Sequence, residues 1–390
     1  MTASEHIQRS SGGASVQGGS RKPLIRWWMV IAAALLLAAA AIGLWIHTHP
    51  RGVTRISAVT LPCHSDEDVT IFGSDVLYYD KRNGVLYCTS SSGSVRWNYT
   101  LGQGQQFSVS DTYVVAWSDS EINVLDRGGR SIYKSTFSEP VQFARVGEKY
   151  FAAVTGSPAS PSLIVRDMDG TYVDNETDNY KDMMLMDVGF YGDADQYMWS
   201  LALDIYSTAV NTVLNTFQVG KMNTGEVNLG EFIAYRVLYD AGRLRVFTTQ
   251  QMYSYDYKAV QDLNGTQLVY GWELVDWDQP ERGSTNMLLA TASELNNTKG
   301  LTELRVLSGG RDSRFHLPSA CIGAGIRNGR IYAVSKDQVL YVSPANQSRF
   351  AAYQLPFATD AAAVHWFGLT DDGHAVFAIG DIVYAVNLPR

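Results

Sequence analysis

Val69–Ser90 reads VTIFGSDVLYYDKRNGVLYCTS: an alternating strand, a tight turn at Gly73-Ser74, an apolar run, a second polar turn, and a third strand. The same order returns as FSVSDTYVVAWSDSEINVLD from Phe107 and as VQFARVGEKYFAAVTGSPASPSLIVRD from Val141. A looser copy with YMWSLALD and LNTFQVGKM as its strands starts near Met186. YRVLYDAGRLRVFTTQQMYSYD follows from Tyr235, and a sixth copy runs from Trp272 through MLLATAS and ELRVLS. IGAGIRNGRIYAVSKDQVLYVS from Ile322 and VHWFGLTDDGHAVFAIGDIVYAVN from Val364 complete the series. Recurrence every roughly 35 to 50 residues is the spacing of propeller blades. Glycine falls in the turns because tight hairpins need positive φ.

After the third strand of most copies comes a turn and a more polar fourth strand: SVRWNYT, SIYKST, GTYVDN and GEVNLG. Four antiparallel strands per unit make a blade. The eighth copy ends without its fourth strand, whereas residues 54–61, TRISAVTL, form an alternating strand ahead of the first copy. Placed on the eighth blade, that strand closes the ring and removes an open edge. The expected fold is all-β, an eight-bladed β-propeller over residues 54–390, with seven blades as the alternative because the fourth and sixth copies are irregular.

Ahead of the ring, residues 27–46, WWMVIAAALLLAAAAIGLWI, carry no charge. At about 1.5 Å per residue they span a hydrocarbon layer of roughly 30 Å, so one transmembrane helix through a lipid bilayer is expected. The run exceeds the roughly 7 to 15 apolar residues of a cleaved signal peptide. Trp27, Trp28 and Trp45 bracket it, and Arg9, Arg21, Lys22 and Arg26 before it outnumber Arg51 and Arg55 after it. That asymmetry places residues 1–26, a polar tail expected to be disordered, in the cytoplasm and the ring outside it. Residues 47–53 form a short linker that keeps the ring close to the cell membrane.

The chain has a formal charge of −8, and the part after residue 26 holds 27 basic against 38 acidic side chains. A balance of −11 makes nucleic acid a poor partner. Three cysteines, Cys63, Cys88 and Cys321, are too few for a disulfide scaffold or a CxxC zinc site. One bridge, Cys63 to Cys88, is a candidate, with buried thiols as its rival.

In Ser92-Gly93-Ser94-Val95-Arg96-Trp97 a turn glycine is followed four residues later by tryptophan. This resembles the tryptophan-docking pattern of PQQ-type quinoprotein propellers and of the outer-membrane assembly propeller. The stretch Met198–Trp272 looks like an uncharacterised family of bacterial membrane-anchored propellers, found mainly in Gram-positive anaerobes. The resemblance implies the fold, the anchor and an extracytoplasmic position, and implies no reaction.

No adjacent cysteine pair of the quinoprotein kind is present, so no cofactor is expected. G-x-S-x-G, phosphate-loop and H-E-x-x-H motifs are missing, and the seven histidines are scattered. The most unusual loop is DWDQPERGS, Asp276–Ser284, where Trp277, Asp278 and Arg282 offer stacking, acid and base as candidate ligand contacts on the rim. An acidic, aromatic run from Glu176 to Tyr197 reads as a long blade connection. The expectation is a membrane-tethered, non-catalytic binding or scaffold module for a protein or a cell-envelope polymer. The alternatives are a carbohydrate-active enzyme using rim carboxylates such as Asp278, and a ligand sensor that signals through the tail.

Overall fold

The structure is a computed structural model, which describes residues 35–40, 56–176, 180–280, 284–295, 299–342, 350–357 and 364–389. Residues 54–390 form a compact unit of eight four-stranded antiparallel sheets, the eight blades of a propeller. The innermost strands, in blade order, are Asp68–Phe72, Gln106–Val109, Val141–Val146, Met184–Tyr191, Ala234–Asp240, Trp272–Asp278, Gly323–Arg327 and Val364–Leu369. Each begins within two residues of the start read from the repeats. The eighth sheet is completed by Ala58–His64, which pairs antiparallel with Ile382–Asn387, so the closing strand overlaps 54–61 and runs three residues further.

Both faces of each blade are covered by its neighbours, and a strand sends successive side chains to opposite faces. Val76 and Tyr78 therefore pack toward blade 8, while Leu77 and Tyr79 pack toward blade 2. Second strands such as YVVAWS and NMLLAT accordingly read as unbroken apolar runs. Eight hydrophobic clusters result, one in each gap between neighbouring blades.

This geometry decides the cysteines. Cys63 lies in the cluster between blades 8 and 1, and Cys88 in the cluster between blades 1 and 2. The sheet of blade 1 stands between them, so the candidate bridge does not form and all three cysteines are buried free thiols. Burial pushes each thiol up to about 12.

The outer seams repeat one contact around half of the ring. Between third and fourth strands, Asp126, Asp167 and Asp256 each open a turn closed by a backbone hydrogen bond back to that residue, from Gly129, Gly170 and Ala259. Asp126 and Asp256 also accept backbone N–H groups through their carboxylates. The outer strand of the preceding blade sits on such a turn. Trp97 covers Gly129 so closely that a Cβ there would meet its ring, and its Nε1 donates to the Arg127 carbonyl at 2.9 Å. Tyr133 covers Gly170, Val173 covers Gly220, and Thr224 Oγ1 donates to the Tyr257 carbonyl at 2.7 Å. Val59 of the closing strand meets Gly93 in the same way. One strict tryptophan copy thus marks a contact that other residue types make at the neighbouring seams.

Of the expected membrane span, residues 35–40 are described; they are helical and exposed. No helix of the described residues is long and apolar enough to cross a membrane. The rest of 27–46, and the whole of 1–26 and 47–53, lie outside the described residues.

Candidate binding surface on blades 4 to 6

Five innermost strands carry a register shift, near the start of the strand in blades 3, 4 and 5 and near its middle in blades 6 and 8. A bulge re-aims the side chains that follow it. Asp187, Arg236 and Asp276 come directly after the shift in blades 4, 5 and 6. Arg145 and Asp187 pair across two blades at 2.8 Å, while Arg236 lies over the ring of Trp277 at 5.6 Å. Arg145, Asp187 and Arg236, with Asp68, Thr70, Gln106 and Ser108 from blades 1 and 2, line a cavity of about 700 Å³. A second cavity of similar size shares Ser108, Val109 and Arg145 with the first, and continues to Tyr239, Trp277 and Gln279. The lining mixes charged groups with the aromatic side chains of Phe190, Tyr239 and Trp277.

The expected rim trio is divided by this geometry. Asp276, Trp277 and Asp278 are not loop residues; they end the innermost strand of blade 6, and the loop starts at Gln279. Trp277 faces the cavity and is exposed. Asp278 turns into the joint with blade 7, where its Oδ2 accepts the Gly329 backbone N–H at 2.8 Å and the Asn286 amide at 3.4 Å. Arg282 lies outside the described residues. Asp276, which the repeat reading did not single out, makes a second clamp: Oδ2 accepts the Ile326 N–H at 2.8 Å and Oδ1 the Trp277 N–H at 2.9 Å. Burial outweighs those two donors and raises its carboxyl to about 6. The run Glu176–Tyr197 holds the innermost strand Met184–Tyr191 rather than forming one long connection.

Blade 5 departs most from the pattern. Its outer strand is only Gln267–Leu268, against four to eleven residues in the other blades. A short 3-10 turn, Leu263–Gly265, takes the place of further strand, capped by Asp262 accepting the Asn264 N–H at 3.1 Å. The seam with blade 6 stays open in two places. On one side Leu268 and Tyr270 stand beside Trp272, which Arg305 and Arg314 flank at 5.9 and 5.5 Å. Arg305 is held there by two hydrogen bonds to Asp312, at 2.9 and 2.8 Å.

Large exposed apolar side chains gather in the same sector. Of seventeen on the described part of the ring, eleven fall between residues 205 and 270, including Tyr206, Tyr257, Leu263, Leu268 and Tyr270. Four tyrosine rings stand in series from Tyr239 through Tyr191 and Tyr197 to Tyr257, with centroids 5.1, 5.4 and 5.3 Å apart. They join the cavity wall to the outer rim.

No family model matches the chain, and no curated protein sequence does. Among solved structures it is similar to the WD40 domain of SCAP from fission yeast, with a TM-score of 0.56 at 7% identity, covering 85% of this chain and 98% of that one. It is also similar to Saccharomyces cerevisiae Sqt1, with a TM-score of 0.52 at 9% identity, covering 86% and 100%. BamB from Moraxella catarrhalis matches with a TM-score of 0.50 at 11% identity, covering 87% and 98%. At such identities the likeness establishes the propeller fold alone. It includes an outer-membrane assembly propeller, as the docking pattern implied, while no sequence match supports the quinoprotein family.

Proposed function

We propose that this chain is a membrane-tethered, non-catalytic propeller that binds a protein partner through blades 4 and 5, outside the cytoplasm. The observation that carries the reading is the crowding of exposed apolar side chains into that sector. Water-exposed apolar surface is scattered on most monomers, and its concentration marks interaction surfaces, where tyrosine is enriched. The tether rests on the uncharged residues 27–46 and on the basic residues before them. The carbohydrate-active reading loses support, because the Asp278 carboxylate on which it leaned is engaged by blade 7.

A photo-crosslinking amino acid placed at Tyr206 or Tyr257 in intact cells tests this. The expected result is one recurrent crosslinked protein from both positions and none from Lys134 on blade 2. Equal capture from all three positions, or none from either tyrosine, would overturn it. Protease added outside intact cells should cleave the ring and spare a tag fused at residue 1; the reverse pattern would remove the proposed topology.

A further inference from the structure

Between blades 5 and 6, on the opposite side of the open seam from Tyr270, lies a cavity of about 290 Å³. It exists because the chain after Tyr255 forms turns where another blade has its outer strand. Gly265 holds the wall in place: a Cβ there would meet Arg245 Nη1 and the Ser254 side chain at 2.8 Å. The floor is apolar, with Met252 and Met287 almost fully buried.

The walls carry hydrogen-bonding groups that other described residues do not engage. Arg245 donates from Nε to Asp240 at 3.1 Å and from Nη1 to the Gly265 carbonyl at 3.4 Å. A guanidinium has five N–H groups, so three have no partner among the described residues. The hydroxyl of Thr285 and the amide of the exposed Asn264 make no hydrogen bond to another described residue. Asp262 and Gln267 complete the set.

That combination selects a ligand class. An anion would face two carboxylates for one guanidinium. An apolar ligand would take water from these polar groups and offer no hydrogen bond in return. A ring bearing adjacent hydroxyls meets every requirement: each hydroxyl both donates and accepts, and planar carboxylate, guanidinium and amide groups can engage two neighbouring hydroxyls at once. Its C–H face would rest on the methionine floor. We propose that this cavity is a binding site for one sugar ring of a glycan, independent of the protein-docking reading above.

Saturation-transfer NMR on the full chain, in a detergent without a sugar headgroup, tests the assignment with glucose, galactose and N-acetylglucosamine as probes. At least one should receive saturation and raise the Tm. The double substitution Asn264→Ala and Gln267→Ala, on the cavity rim, should weaken that binding about tenfold or more while leaving the ligand-free Tm unchanged. Thr285→Val, which removes the hydroxyl and keeps the shape, should weaken it several-fold. No transfer to any of the three sugars overturns the proposal. So does transfer undiminished in both variants, which would place the sugar elsewhere.

Discussion

Blades 1 to 3 and blades 4 to 6 are built on one strand plan and differ at their margins. In the first group each outer strand lies on the turn of the next blade, as Trp97 does on Gly129 and Tyr133 on Gly170, and few large apolar side chains face solvent. In the second group the seam between blades 5 and 6 lacks an outer strand of normal length, cavities open there, and tyrosines are exposed. The cores do not share the difference, since the gap between blades 4 and 5 is lined by Leu214, Leu244 and Val246 with no exposed surface. The ring keeps its packing near the middle of each sheet and spends its variation on the rim, where substitution costs least.

The largest effect tests whether the cores are equivalent. Leu77→Ala in the first group and Leu244→Ala in the second should each lower stability by about 2–5 kcal/mol in chemical denaturation, because both side chains are fully buried. A much smaller loss for Leu244→Ala would show that the looseness of blade 5 reaches its core.

Glycine substitutions sharpen the contrast at the margin. Gly129→Ala combines positive φ with a clash against Trp97 and should cost about 2–3 kcal/mol. Gly242→Ala in blade 5 has the same backbone strain and open space around it, so about 1 kcal/mol is expected. Equal losses would mean that the docked tryptophan contributes nothing.

A pH titration examines the joint of blades 6 and 7. Burial raises the Asp276 carboxyl to about 6, so the folded state binds a proton more readily than the unfolded chain between about pH 6 and 4. Stability contributed by this group therefore rises as pH falls through 6, by about 1 kcal/mol between pH 7 and pH 5. Asp276→Asn should abolish that gain. Asp312 titrates in the opposite sense: its hydrogen bond with Arg305 lowers its carboxyl, and its contribution is lost as acid protonates it.

The smallest effect on stability belongs to the exposed sector. Tyr257→Ser and Leu268→Ser should each change the unfolding free energy by no more than about 0.5 kcal/mol, while reducing partner capture at Tyr206. A large destabilisation would identify these side chains as part of the fold instead of a docking face.

Blade boundaries were legible because each unit repeats the same alternation, and the starts read from Val69 and Phe107 lie one residue from the strands Asp68–Phe72 and Gln106–Val109. The fourth strands Val95–Thr100 and Ser131–Thr136 were equally legible, since glycine turns precede them. The site was less so. Trp277, a candidate from its sequence, reaches one cavity, whereas Arg236 in the other cavity and the Asp276 clamp carry no mark in the repeat, and Asp278 ends a strand instead of lying in a loop. A signal was present in retrospect: Asp276-Trp277-Asp278 continues the strand register begun at Trp272, with one shift after Leu274.

Taken alone, the amino-acid order determined the propeller class and the closing strand, because a strand covered on both faces must carry apolar residues at consecutive positions and each unit must end in a turn; the choice of eight blades over seven was settled by the eight assembled sheets. Where single side chains point was decided only in the assembled ring. A shift of one residue sends a side chain to the other face of its sheet, and bulges introduce such shifts in five innermost strands. The turning of Asp278 into blade 7 follows one such shift, while the separation of Cys63 from Cys88 and the cavity left by the two-residue outer strand of blade 5 follow from how neighbouring blades meet.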